Sequence, residues 1–172
     1  HNHWGEPDQY PWSFGPEVEK LCREALELRY RLLPYIYSAF VSASETGDPI
    51  QRPLAYDFQH DRHARETADA YLFGEALLVA PVCKPDCTSR QVYLPEGTWI
   101  DWHTGERHAG GRSITAKAPL DRIPLFARGG SIIPSYASAP QSTMDPTPEL
   151  LVLHAFVPNE DGEFHSMLQE DD

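Results

Sequence analysis

LRYRLLPYIYSAFVSASETGDPIQRPL, residues 28–54, is where one pattern gives way to another. Up to Thr46 the apolar residues follow a helical period, continuing Val18, Leu21, Ala25, Leu28 and Leu32. Pro34 cannot continue a helical hydrogen-bond ladder unbroken. The segment therefore predicts two helical pieces, roughly 16–32 and 34–46, joined by a kink. Gly15–Pro16 followed by Glu17 and Glu19 is a helix start, with proline at the first position and acids at the positive end of the dipole. The second piece is expected to bury Tyr35, Ile36, Tyr37, Ala39, Phe40 and Val41, and Gly47 then Pro49 stops it.

Beyond Pro49 no long helical period appears. Short apolar runs alternate with glycine and proline: PIQRPLAYDF, YLFGEALLVAPV, RQVYLPEGTWIDW, GGRSITAKAPLDRIPLFARGGSIIP, ELLVLHAF and GEFHSML. Strand-length runs between turn residues are the signature of a β-sandwich. A helical segment followed by many strands gives an α+β reading with separate units. The expected core of the sandwich is Leu77, Leu78, Val79, Val92, Trp99, Ile123, Leu125 and Ile132. ARGGSIIP reads as a hairpin turn, and residues 134–148, rich in Pro, Ser and Thr, as a linker or long surface loop. LQEDD closes the chain on a charge run without a turn, so both ends are expected to continue into a longer chain.

The 172 residues carry 14 basic and 26 acidic side chains, a formal charge of -12. That balance argues against nucleic acid and anionic membrane as partners, because phosphates repel it. No apolar run approaches the ~18 residues of a transmembrane helix. Cys83 and Cys87 in CKPDC could close a small disulfide loop or be half of a metal site, but no second pair exists, and two free thiols in a turn is the expectation. His60 and His63 in HDRH have metal-ligand spacing, yet sit in a polar stretch that reads as a solvated loop. No serine occupies a nucleophile elbow, and no glycine loop is built to cradle phosphate. Trp99, Asp101 and Trp102 in GTWIDWHTG could stack a sugar; a core tryptophan beside a turn aspartate is the favoured reading.

Five blocks in register carry more than any spacing: LRYRLLPYIYSAF, TGDPIQRPL, FGEALLVAPV, VYLPEGTWIDWHTG and APLDRIPLFARGGSIIP. Together they closely resemble glycoside hydrolase family 31, the retaining α-glucosidases and α-xylosidases. NHWGEPDQYPWSFGPE at the start and DGEFHSMLQEDD at the end resemble further stretches of the family. The resemblance implies the last βα unit of a (β/α)8 barrel in residues 1–55, a proximal β-sandwich in 56–138, and the beginning of a distal β domain in 139–172. It places the opening loop in the mouth of the barrel, where such active sites lie. His3 matches the family histidine that hydrogen-bonds sugar hydroxyls where the bond is cut, although His1 stands where many members carry arginine. The two catalytic carboxylates of the family are expected upstream; Asp8 and Asp57 match neither motif, and no catalytic residue is assigned in this chain. The implied substrate is an α-linked oligosaccharide or glucoside, the implied partner the remainder of the barrel, and hydrolysis through two carboxylates needs no metal or organic cofactor. The alternative is a non-catalytic β-sandwich module that binds carbohydrate or stabilises a partner domain.

Overall fold

Gly15 and Gly47 bracket the helices. The computed structural model describes residues 9–158 and 162–169. Helix α1 (Pro16–Arg31) follows Gly15, whose φ of 93° lets the chain turn in, and it carries Glu17 and Glu19 in its first turn and Arg29 and Arg31 in its last. Helix α2 (Leu33–Thr46) ends on Gly47 in the left-handed conformation, with its N–H bonded to Ala43 O at 2.9 Å. The break falls at Leu32, so Pro34 lies in the first turn of α2 rather than kinking one helix. There its missing N–H is one the helix leaves unpaired anyway. No helix among the described residues is long and apolar enough to cross a membrane.

The remaining elements are short. β1 (Gln51–Pro53) leads directly into two small helices, α3 (Leu54–Asp57) and α4 (Arg62–Glu66). Then come β2 (Tyr71–Phe73), β3 (Leu77–Val79), β4 (Ser89–Leu94), β5 (Thr98–Asp101), β6 (Arg107–Ala109) and β7 (Arg112–Lys117). β8 (Leu125–Arg128), β9 (Ser131–Tyr136) and β10 (Leu151–Phe156) follow. Six strands form one sheet in the order β1-β2-β3-β8-β5-β6, while β4–β7 and β9–β10 are two-stranded ribbons. Every pairing is antiparallel, so the chain is α+β.

Register explains the layering. Leu72, Leu78 and Phe126 are opposite one another across β2, β3 and β8, and with Trp99 they meet Val92, Leu94 and Ala116 of the β4–β7 ribbon. The neighbouring residues Leu77, Val79, Leu125 and Ala127 point the other way, against Leu32, Tyr35, Ile36 and Ile133. The large sheet is therefore covered on both faces. That is why β3 reads as an unbroken apolar run and not as an alternation.

Tyr35 fixes α2 to this sheet. Its hydroxyl donates to Phe73 O at 2.6 Å and accepts from Ala76 N at 3.2 Å. Burial first of all, with the nearby Glu75 carboxylate, pushes the phenol up to about 12, so it stays protonated and keeps donating. Gly74 sits under the hydroxyl with φ +63°, and a Cβ there would collide with it.

Several expectations need correction. Tyr37 and Phe40 are exposed, because α2 turns only its Tyr35–Ile36 side to the sheet. Ile123 is 48% exposed, lying in the turn before β8, and Ile133, not Ile132, is the fully buried isoleucine of β9. ARGGSIIP is not a hairpin: Gly129 and Gly130 carry the chain from the six-stranded sheet into the β9–β10 ribbon. β9 continues to Tyr136, into the expected linker. Residues 162–169 form no strand; they run as a strap, with Ile132 N donating to Ser166 Oγ at 3.1 Å and Gln169 N donating to Ser38 Oγ at 2.9 Å.

Candidate functional site

The loop before α1 is built to display rings. A single 3₁₀ turn, Pro11–Phe14, is closed by Ser13 N donating to Tyr10 O at 2.9 Å. It stacks the rings of Tyr10 and Trp12 with centroids 4.7 Å apart and planes 12° from parallel. Trp12 is 63% and Phe14 59% exposed. Large aromatic rings normally contribute by burial. Three exposed rings on one turn leave flat faces and edges open to the apolar face of a ligand. His3 and Asp8 lie outside the described residues.

The other residues singled out in the sequence divide cleanly. Asp57 faces the buried Arg52 with Oδ1 3.4 Å from Nη1, while Arg52 Nε donates to Pro49 O at 2.8 Å. The pair ties β1 to α3. His63 lies in α4, its ring 5.2 Å from that of Tyr93, and His60 is in the preceding turn. Asp61 caps α4 by accepting from His63 N and Ala64 N, and it accepts the Tyr93 hydroxyl at 2.6 Å. Burial would raise the Asp61 carboxyl, but these three donors outweigh it and hold the carboxyl below its ordinary value. Cys83 and Cys87 are exposed free thiols. Among the described residues no group of three His, Cys, Asp or Glu side chains could hold a metal ion.

GTWIDWHTG separates into two roles. Trp99 is fully buried and its indole N–H donates to Pro95 O at 2.8 Å. Asp101 Oδ1 accepts from His103 N and Thr104 N, both at 2.8 Å, and shapes the turn after β5. Trp102 is only half-buried. Its ring lies 5.0 Å from His154 and 5.5 Å from Phe156 of β10. His154 Nε2 is 2.9 Å from Ser135 Oγ on β9. Burial, and secondarily the Arg31 charge, hold the imidazole below its ordinary value. These side chains, with Leu28 and Leu32, line a cleft of ≈ 250 Å³. No motif or spacing announces it, because its walls come from α1, the β5 turn and the β9–β10 ribbon.

Residues 47–133 match the model of the glycosyl hydrolase family 31 C-terminal domain, and residues 1–39 that of the glycosyl hydrolases family 31 TIM-barrel domain. The alpha-glucosidase 2 of Bacillus thermoamyloliquefaciens is 38% identical over 125 residues, 73% of this chain and 16% of that protein. An alpha-xylosidase of Saccharolobus solfataricus is 41% identical over 125 residues, 72% of this chain and 17% of that protein. Among solved structures, a mutant of a Flavobacterium johnsoniae GH31 dextranase complexed with isomaltotriose is 36% identical, with a TM-score of 0.92 over 98% of this chain and 21% of that chain. This chain thus spans about a sixth to a fifth of the length of these relatives.

Proposed function

We propose a function from one premise: the chain belongs to glycosyl hydrolase family 31. It forms the C-terminal portion of a retaining α-glycosidase that hydrolyses terminal α-glucosidic bonds of oligosaccharides. Residues 1–55 are the last βα unit of its (β/α)8 barrel, 56–138 the proximal sandwich and 139–172 the beginning of a distal β domain. The observation that carries this reading is the succession of the two family matches along one chain, barrel then C-terminal domain.

The helices support the division. α1 has no fully buried residue, and Leu26, Tyr37 and Phe40 are exposed on α1 and α2. In the longer protein the rest of the barrel covers these side chains. Packing there is worth ~1.5–3 kcal/mol for each large side chain fully buried.

The chemistry needs a nucleophile and a general acid/base about 5–5.5 Å apart, acting through a glycosyl-enzyme intermediate. Barrel strands upstream of His1 supply both carboxylates. Asp57 is not one of them, because it is engaged with Arg52 in holding β1 to α3. This chain contributes substrate contacts at the mouth of the barrel. His3 hydrogen-bonds sugar hydroxyls, since imidazole both donates and accepts without a full charge. Tyr10 and Trp12 add a stacked aromatic wall to these contacts.

Proton NMR of the first-formed product tests this reading. The longer protein acting on an aryl α-glucoside should release the α anomer, which then mutarotates. Initial release of the β anomer, or no hydrolysis of α-glucosides, would refute it. Greater kcat/KM on the matching aryl α-xyloside would reassign the sugar within the same chemistry.

A further inference from the structure

The cleft between the end of α1, the turn after β5 and the β9–β10 ribbon lies apart from the aromatic loop, and its lining is chemically mixed. One wall is the half-buried Trp102 ring, backed by Phe156. The other walls carry the Ser135–His154 pair, 2.9 Å apart, and the Arg31 guanidinium. Among the described residues Arg31 has no ion-pair partner. The volume of ≈ 250 Å³ lies below the ~300–1,000 Å³ of sites for drug-sized ligands, so the cleft suits one small ring.

The polar groups select among small rings. Burial and Arg31 keep the His154 imidazole neutral at neutral pH, so it offers one donor and one acceptor. Nε2 is already hydrogen-bonded to Ser135 Oγ, so the pair keeps Nδ1 and the remaining capacity of the Ser135 hydroxyl for a ligand, and the guanidinium adds a donor fork. Donors and acceptors together, beside an aromatic face, match a ring that carries vicinal hydroxyls on its edge and C–H groups on its face. A phosphate would call for more positive charge than one arginine supplies. A purely apolar ring would give the Arg31 fork and the unused groups of the Ser135–His154 pair nothing in exchange for water.

We infer that this cleft is an accessory site for one neutral pyranose, a sugar unit of the α-linked glucan on which the longer enzyme acts. The inference rests on the functional reading above for the identity of the sugar. The site would tether a chain end or branch away from the point of cleavage, raising the local concentration of polymer and leaving short substrates unaffected.

Saturation-transfer NMR with methyl α-D-glucoside tests it on the 172-residue chain and on Arg31→Ala, Ser135→Ala and Trp12→Ala. Arg31 is exposed in the last turn of α1, and Ser135→Ala is nearly isosteric, so both variants should fold. Saturable transfer is expected, weakened about tenfold or more by Arg31→Ala, as for loss of a charged hydrogen bond. Ser135→Ala should weaken it too, whereas Trp12→Ala should remove only the transfer that arises at the aromatic loop and leave the Arg31-dependent part in place. Absence of saturable transfer would overturn the inference. So would transfer indifferent to Arg31→Ala, transfer lost only in Trp12→Ala, or displacement of the sugar by acetate. Aryl α-glucoside hydrolysis by the longer protein separates the two readings. Hydrolysis without sugar in the cleft sinks the accessory site alone, whereas sugar in the cleft without hydrolysis sinks the enzymatic reading and leaves the site standing.

Discussion

Replacing Trp99 by alanine would empty the core between the six-stranded sheet and the β4–β7 ribbon. The side chain is fully buried among Leu72, Leu78, Val92, Leu94 and Phe126, with the Phe58 ring 6.5 Å away and the Arg128 guanidinium 5.7 Å from its own ring. A large aromatic ring buries ~150–250 Å². At ~25 cal/mol per Å² that area corresponds to about 4–6 kcal/mol. Partial collapse of the cavity brings the expected cost to ~3–5 kcal/mol, the range for Trp→Ala in cores. The same change strands the Pro95 carbonyl, which loses its indole donor at 2.8 Å. Trp99→Phe keeps most of the volume and isolates that hydrogen bond, so its cost should be about 1–3 kcal/mol. Urea denaturation followed by circular dichroism, at unchanged m, measures both. In a thermal melt the alanine variant should lose about 6–20 °C. A loss below about 1 kcal/mol for Trp99→Ala would refute the core assignment and return Trp99 to the role of a sugar platform.

Other expectations follow from single contacts. Tyr35→Phe should cost about 1–3 kcal/mol by leaving Phe73 O and Ala76 N unpaired in a buried site, and Gly74→Ala should cost more, because it combines a φ of +63° with a collision at the Tyr35 hydroxyl. Denaturation midpoints of the two variants check the order. Asp61→Ala removes the α4 cap and should cost ~0.5–2 kcal/mol at neutral pH. Because the folded carboxyl titrates below its ordinary 3.8, its stabilisation is present above that pH and lost as pH falls through the folded value, so the gap between wild type and Asp61→Ala should narrow in acid. His154 also has a folded value depressed below its ordinary 6.5, so its contribution is present above that pH and lost as pH falls through the lower folded value. Amide protection factors in β9 and β10, taken relative to intrinsic exchange at each pH, should fall over that window, and a flat profile would contradict the burial of a neutral imidazole beside Arg31.

The helices were legible because their punctuation is local. Gly15–Pro16 and Gly47–Pro49 act through backbone geometry within a few residues, and the structure places both ends there. Pro34 was half legible: a proline marks an interruption, but only the backbone distinguishes a kink from a new helix. Trp99 was readable as core, since turn chemistry at Asp101 accounts for the polar half of that motif. The slip from Ile132 to Ile133 has a specific cause. Ile133, Pro134 and Ser135 are consecutive and all buried, because β9 is covered by α2 on one side and paired with β10, so alternation no longer marks a face. α3 and α4 are too short to show a hydrophobic period. The Arg31–Trp102–Ser135–His154 cleft was invisible, because it is assembled by the non-local packing of α1, the β5 turn and β9–β10.

Hydrolysis of an aryl α-glucoside, by this chain and by the longer protein with and without His3→Ala, tests the central claim most directly. On the proposed reading, which puts both carboxylates on upstream barrel strands, the chain alone should give no turnover, since without a nucleophile no glycosyl-enzyme intermediate forms and without an acid the leaving oxygen is not protonated. The longer protein should be active. His3→Ala should lower its kcat/KM by on the order of 2–4 kcal/mol, with kcat falling as well, because a bond that tightens as the ring flattens acts in the transition state. Turnover by the purified chain, or an unchanged kcat/KM in the His3→Ala protein, would contradict the account.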